Sequence, residues 1–164
     1  MKVLILAAGY GTRLYPLVKD TPKALLDING RALIEHIIDR IKDIYDLTEI
    51  VVVTNEKFYT HFTEWAQQQP AEQNITIIND GTKTPDDRLG SIGDIEFVLK
   101  NHKVEEDLLV VGGDNLFDYN IKEYIEFARK KSPHVSLGLY DIGDLEQARL
   151  FGVVETDEDF KVVS

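Results

Sequence analysis

Short runs rich in Val and Ile alternate along the chain with longer segments in which apolar side chains return every three or four positions. The runs Lys2–Leu6, Ile50–Val53, Ile75–Ile78, Leu108–Val111, Val135–Leu139 and Gly152–Glu155 predict strands. Leu33, Ile34, Ile37, Ile38, Ile41 and Ile44 form one stripe, with Glu35, Asp39, Arg40 and Lys42 turned away, which predicts a helix over Arg31–Tyr45. Phe58, Phe62 and Trp65 recur at helical spacing, and that stripe reads as core rather than as a sugar-stacking surface. Ile92–Lys100 and Ile121–Lys131 complete the helices, the second opened by Asn120 with Glu123 three residues on. Strands alternating with helices predict an α/β fold, a mostly parallel sheet covered by helices. The sequence has no internal repeat, low-complexity stretch or interdomain linker, so one domain is expected over residues 1–164.

Parallel sheets bind ligands beyond the carboxyl ends of their strands, so the informative loops follow Leu6, Val53, Ile78 and Val111. After the first strand comes LAAGYGTRLYP, in which Gly9 and Gly11 flank Tyr10. Glycines let several backbone N–H groups converge on an anion; Thr12 adds a hydroxyl and Arg13 a permanently charged fork suited to phosphate oxygens. A tight strand-to-helix turn with a solvated Arg would also satisfy this pattern. Tyr10 either covers a ligand or faces water. Two common phosphate loops are excluded: GxxxxGK[ST] is absent, and the sixth position of a GxGxxG fingerprint is Leu14.

Composition narrows the chemistry. The 164 residues include 18 Lys+Arg and 29 Asp+Glu, a formal charge of -11, with 43% hydrophobic residues and no Cys. The acidic balance argues against nucleic-acid binding, which needs a basic stripe. Missing Cys removes disulfides, thiolate metal sites and a Cys nucleophile, and the four His lack close metal-ligand spacing. No apolar run reaches bilayer length, so no membrane association is expected and a cytoplasmic location is. Residues 1–60 hold eight basic and eight acidic side chains. The acid surplus therefore lies beyond them, and an anionic ligand belongs on the first third.

The run LAAGYGTRLYPLVKDTPKALLDINGRALIEHI closely resembles the opening of the sugar-1-phosphate nucleotidyltransferases, whose pattern is GxGTRLxPxTxxxPKxLxxIxGxPxIxH. The departures are Val18 in place of Thr and Ala32 in place of Pro. The resemblance implies a Rossmann-like three-layer sandwich, the nucleotide-diphospho-sugar transferase fold. It also implies Mg²⁺-dependent transfer of a nucleotidyl group from an NTP to a sugar 1-phosphate with release of pyrophosphate. Leu6, Ala7, Ala8 and Gly9 would then border base and ribose, Gly11, Thr12 and Arg13 would cradle the triphosphate, and Lys23 would hold phosphate opposite. Arg13 and Lys23 are the catalytic candidates. By resemblance Asp114, in LLVVGGDNLFD, is the metal ligand, while Asp118 reads as part of a turn or helix start. Gly90 and Ser91 match the segment that reads the base, Asn79 stands nearest the usual strand-end Gln, and Gly152 in FGVVE matches a backbone contact to the sugar.

The default expectation from the resemblance is thymidylyl or uridylyl transfer to glucose 1-phosphate, followed by guanylyl transfer to mannose 1-phosphate. A cytidylyltransferase acting on another phosphorylated alcohol and a catalytically idle nucleotide-binding module are the alternatives. Relatives continue past the FGVVE-like strand into Glu-Lys-Pro and a second metal Asp. The chain is thus expected to be the N-terminal portion of such a domain, with its C-terminal part missing, weak or no activity, and open sheet edges that offer a route to a homo-oligomer.

Overall fold

The computed structural model describes all residues except Tyr15, Leu17 and Val18, so the Val18 departure lies outside the described residues. The chain divides into two compact units, Met1–Ile121 and Lys122–Ser164.

The first unit is built on a four-stranded sheet of β1 (Lys2–Leu6), β4 (Glu49–Thr54), β5 (Ile75–Asn79) and β6 (Leu108–Gly112). Its spatial order is β5-β4-β1-β6 and every pairing is parallel. Val3, Leu4, Ile5, Val51, Val52 and Val53 have no exposed surface, because a central parallel strand is covered on both faces. This is why these strands read as unbroken apolar runs rather than alternating ones.

Three helices close the layers: α1 (Leu33–Ile41), α2 (Tyr59–Gln67) and α3 (Gly90–Asn101). Val98 and Ile95 of α3 pack with Leu4, Leu6, Val51, Val53, Ile78 and Leu108 on one face of the sheet. The order of strands reverses direction between β5 and β6, so right-handed crossovers put α1 and α2 over the opposite face. There the Trp65 indole N–H donates to Glu35 Oε1 at 3.0 Å and stands edge-on to Phe62, tying α2 to α1. The Phe58, Phe62 and Trp65 stripe is core, as its spacing predicts.

The helix expected over Arg31–Tyr45 is shorter at both ends. A hairpin of β2 (Asp27–Ile28) and β3 (Arg31–Ala32) comes first, turning at Asn29 (φ 55°) and Gly30 (φ 82°). Positive φ at both central residues is the two-residue turn that Asn-Gly favours, and it takes up the residues a helix would have used.

At the N-terminal edge of the sheet, Glu49 accepts from Lys2 Nζ at 2.7 Å and Thr76 Oγ1 at 2.6 Å, with His102 Nε2 at 3.0 Å. Burial alone would raise the Glu49 carboxyl, but the hydrogen bonds from Lys2, Thr76 and His102 outweigh it and bring it to about 2. His102 is thereby part of a structural ion cluster at the end of the sheet remote from the ligand loops.

The second unit contains most of α4 (Ile121–Lys130), then α5 (Leu145–Ala148) and a terminal hairpin with a Thr156–Val162 bridge. The strands expected at Val135–Leu139 and Gly152–Glu155 do not form. A strand exists only where another backbone pairs with it, and these runs have no ladder among the described residues. Val135, Leu137, Leu139 and Val153 consequently stay 57% to 90% exposed.

Candidate functional site

β1 has β4 on one side and β6 on the other, and the chain leaves it toward opposite sheet edges. This makes the gap beyond β1 and β6 a topological switch point, where open α/β sheets leave a crevice. A cavity of about 550 Å³ opens there.

The loop after β1 forms its floor. Asn55, fully buried just after β4, donates through Nδ2 to the Ala8 carbonyl at 2.8 Å and accepts the Phe58 N–H at 3.1 Å. It pins the loop to the start of α2. Tyr10 is 5% exposed: its ring lies against Phe58 and its hydroxyl donates to Thr82 Oγ1 at 3.3 Å. Burial raises its pKa, so it stays a neutral phenol. Tyr10 is thus an anchor driven into the protein between two glycines that must stay at the surface. A Cβ on Gly9 would meet nothing within 4 Å and would occupy the cavity instead. Gly11 has φ 61° and turns the chain into Thr12-Arg13-Leu14, whose three side chains are exposed along the cavity.

Opposite lies the end of β6. Gly113 N donates to the Leu6 carbonyl at 2.8 Å, and a Cβ on Gly113 would stand 2.8 Å from that same oxygen. Only glycine lets the β6 loop approach β1 this closely. The approach delivers Asp114 and Asn115 to the cavity wall, where the Asp114 carboxylate accepts from Lys23 Nζ at 2.6 Å.

Of the residues expected from sequence, Leu6, Ala7, Ala8, Gly9, Gly11, Thr12, Arg13, Lys23, Gly90, Ser91 and Asp114 all line this one cavity. Asn79 does not. Its side-chain Oδ1 accepts from Gly81 N at 2.8 Å and its Nδ2 donates to Glu56, so it shapes the turn after β5. The neighbouring Asp80 lines the cavity in its place. Gly152 lies in the second unit, exposed, and is not among the lining residues. Asp118 lines a separate pocket with His36, Asp39, Arg40, Leu116 and Phe117.

Sequence reasoning missed Asn55, Asp80 and Asp94. Asp94, in α3, is 6% exposed and also lines the cavity; burial first, then the charge of Asp80, push its carboxyl up to about 6. A carboxylate falling on an apolar helix face, four residues after Gly90, was the available signal.

Asp114 is the carboxylate that could take part in holding a metal. Among the described residues no group of three or more His, Cys, Asp or Glu could hold one unaided. An exposed carboxylate such as Asp114 on the cavity wall suits Mg²⁺, which takes one or two carboxylates and completes its shell with phosphate and water.

The sequence model of the nucleotidyl transferase family matches residues 2–164. The bifunctional protein GlmU of Methanococcus vannielii is 30% identical over 100% of this chain and 34% of its own length. UTP–glucose-1-phosphate uridylyltransferase AglF of Haloferax volcanii is 25% identical over 96% of this chain and 61% of its own. Among solved structures, HddC from Yersinia pseudotuberculosis complexed with GMP-PN has a TM-score of 0.69 at 23% identity, covering 99% of this chain and 67% of that one. The chain spans about a third of the length of the GlmU relatives it matches.

Proposed function

Since the chain belongs to the nucleotidyl transferase family, we propose that its cavity serves transfer of a nucleotidyl group from an NTP to a sugar 1-phosphate. The observation that carries this is the meeting of the Gly9–Gly11 loop, Arg13, Lys23 and Asp114 around one cavity at the switch point. An oxygen of the sugar phosphate attacks the α-phosphorus, the bond to the bridging oxygen breaks, and pyrophosphate leaves. The nucleophile is already an anion, so no general base is needed. Catalysis then rests on positioning and on stabilising charge spread over phosphate oxygens.

The residues divide that work. Gly11 and Thr12 cradle the triphosphate, the Arg13 fork takes two oxygens at once, and Lys23 leaves Asp114 to pair with phosphate. Asp114, freed from Lys23, would hold Mg²⁺, which when bound supplies charge neutralisation at the phosphates. Pyrophosphate release from a panel of NTPs and sugar 1-phosphates tests this reading. Arg13→Ala should lower the rate roughly 10²–10³-fold without changing the melting temperature, because its side chain is exposed and supports no core contact. An unchanged rate in that variant would remove Arg13 from the site. Nucleotide binding without turnover would recast the chain as a binding module.

A further inference from the structure

The glycines that open the loop after β1 to phosphate also deprive it of side chains that would hold it in one shape. Glycine loses more backbone freedom on folding than any other residue, and a phosphate cradle works only if its donors are already in place. The loop around Gly9 and Gly11 therefore needs a hold from outside. Asn55 supplies one at Ala8. The other is Tyr10, whose contact with the Phe58 ring, centroids 6.5 Å apart, is apolar and lacks direction. Direction comes from its hydroxyl.

That hydroxyl donates to Thr82 Oγ1, 72 residues away in the chain, at 3.3 Å. The Thr82 hydroxyl has a single proton and gives it to Asp80 Oδ1 at 2.8 Å, so toward Tyr10 it only accepts. The Thr82 N–H donates to the same Asp80 oxygen at 2.7 Å. Both ends of this turn are fastened to the end of β4: Asp80 N donates to the Thr54 carbonyl at 2.8 Å, and Glu56 N donates to the Thr82 carbonyl at 2.9 Å. From α3, the Asp94 carboxyl is hydrogen-bonded to Asp80. Tyr10, Thr82, Asp80 and Asp94 are 5%, 6%, 7% and 6% exposed, so water competes little for these bonds. The network joins the glycine loop to β4, to the turn after β5 and to α3. Thr82 is not among the residues lining the cavity, so its part is to hold others in place.

We propose that Thr82 is a positioning residue for nucleotide binding, an inference that rests on the nucleotidyl-transfer reading above. Its hydroxyl, oriented by Asp80, fixes Tyr10 and with it the Gly9–Gly11 loop in the shape that receives the triphosphate. At 3.3 Å the bond to Tyr10 is long for two hydroxyls, so removing it costs the fold little and the loss falls on the loop.

Isothermal titration with Mg²⁺ and inorganic tripolyphosphate, and in parallel with UTP and GTP, tests this at a temperature where circular dichroism shows each variant folded. Thr82→Val keeps the side-chain shape and the N–H bond to Asp80 but loses the hydroxyl, and should bind roughly tenfold more weakly, the scale of one hydrogen bond. Thr82→Ser keeps the hydroxyl and should bind like the parent. Tyr10→Phe removes the same bond from the other side and should lose as much. The double variant should bind no more weakly than either single one, because both changes remove one interaction. Amide exchange at Tyr10 and Gly11 should quicken in Thr82→Val while β1 and β4 exchange as before. Parent-like binding by either Thr82→Val or Tyr10→Phe would overturn the proposal, as would weak binding by Thr82→Ser or losses that add in the double variant. If Thr82→Val does not fold, Tyr10→Phe and Thr82→Ser decide the same bond. If Arg13→Ala abolishes binding while Thr82→Val leaves it unchanged, the role of Thr82 falls alone. If none of the three probes binds the parent, the nucleotidyl-transfer reading falls and the role of Thr82 with it.

Discussion

Lys23 and Asp114 are 38% and 46% exposed, so their ion pair contributes at most about 1 kcal/mol and opens readily when a charged ligand arrives. Asp94 is the opposite case, a carboxyl only 6% exposed with Oδ1 out of contact with solvent. Its carboxyl is raised from the ordinary 3.8 to about 6, so the folded protein binds the proton more tightly than the unfolded chain. The stabilisation is complete below pH 3.8 and is lost as the pH rises through about 6. Asp94→Asn removes that titration. The variant should melt higher than the parent at pH 7.5, and the gain should vanish near pH 4; equal melting temperatures at pH 7.5 would show that Asp94 is not under strain. Stability given up at a buried carboxylate that lines a cavity marks Asp94 as a functional-site candidate.

Elements position the site through backbone contacts. β1 ends where Gly113 N meets the Leu6 carbonyl, and Asn55 ties Ala8 to the start of α2. The loop between them is therefore held from two neighbouring strands. Gly113→Ala places a methyl 2.8 Å from a backbone oxygen that cannot rotate away, so the β6 loop must retreat from β1. The expected outcome is a loss of about 1–3 kcal/mol in urea unfolding, together with weakened nucleotide binding. Gly9→Ala, with nothing within 4 Å, should keep full stability and lose only binding. Matched losses of stability in the two variants would show that Gly9 has a structural role instead.

At the scale of the whole molecule, protection is unevenly shared. The parallel sheet has fully buried strands, while residues 131–164 hold only a four-residue helix and a single isolated bridge in regular structure. Hydrogen exchange should be slowest in β1 and β4 and fast throughout 131–164, because local opening there breaks few buried contacts. Uniform protection across both units would contradict this. Among the described residues no helix is long and apolar enough to cross a membrane.

The sequence by itself determined the four parallel strands, the apolar faces of α1 and α2, and the loop carrying Gly9, Gly11 and Arg13. Each of these rests on local spacing, and burial on both faces writes β1 and β4 as unbroken apolar runs. It also marked Lys23 and Asp114, which lie 91 residues apart in the chain and meet at 2.6 Å. Only the tertiary structure decided that they pair, because that meeting depends on strand order. The same holds for Tyr10, whose burial depends on Thr82 and Phe58, and for Asp80 standing in place of Asn79. Val135–Leu139 and Gly152–Glu155 have the residues of strands but form no ladder among the described residues, Glu155 alone exchanging backbone bonds with Val163 and Ser164, and strand formation is settled by such a neighbour. Asp94 is likewise a product of folding, which buries it beside Asp80 although the two lie on different elements.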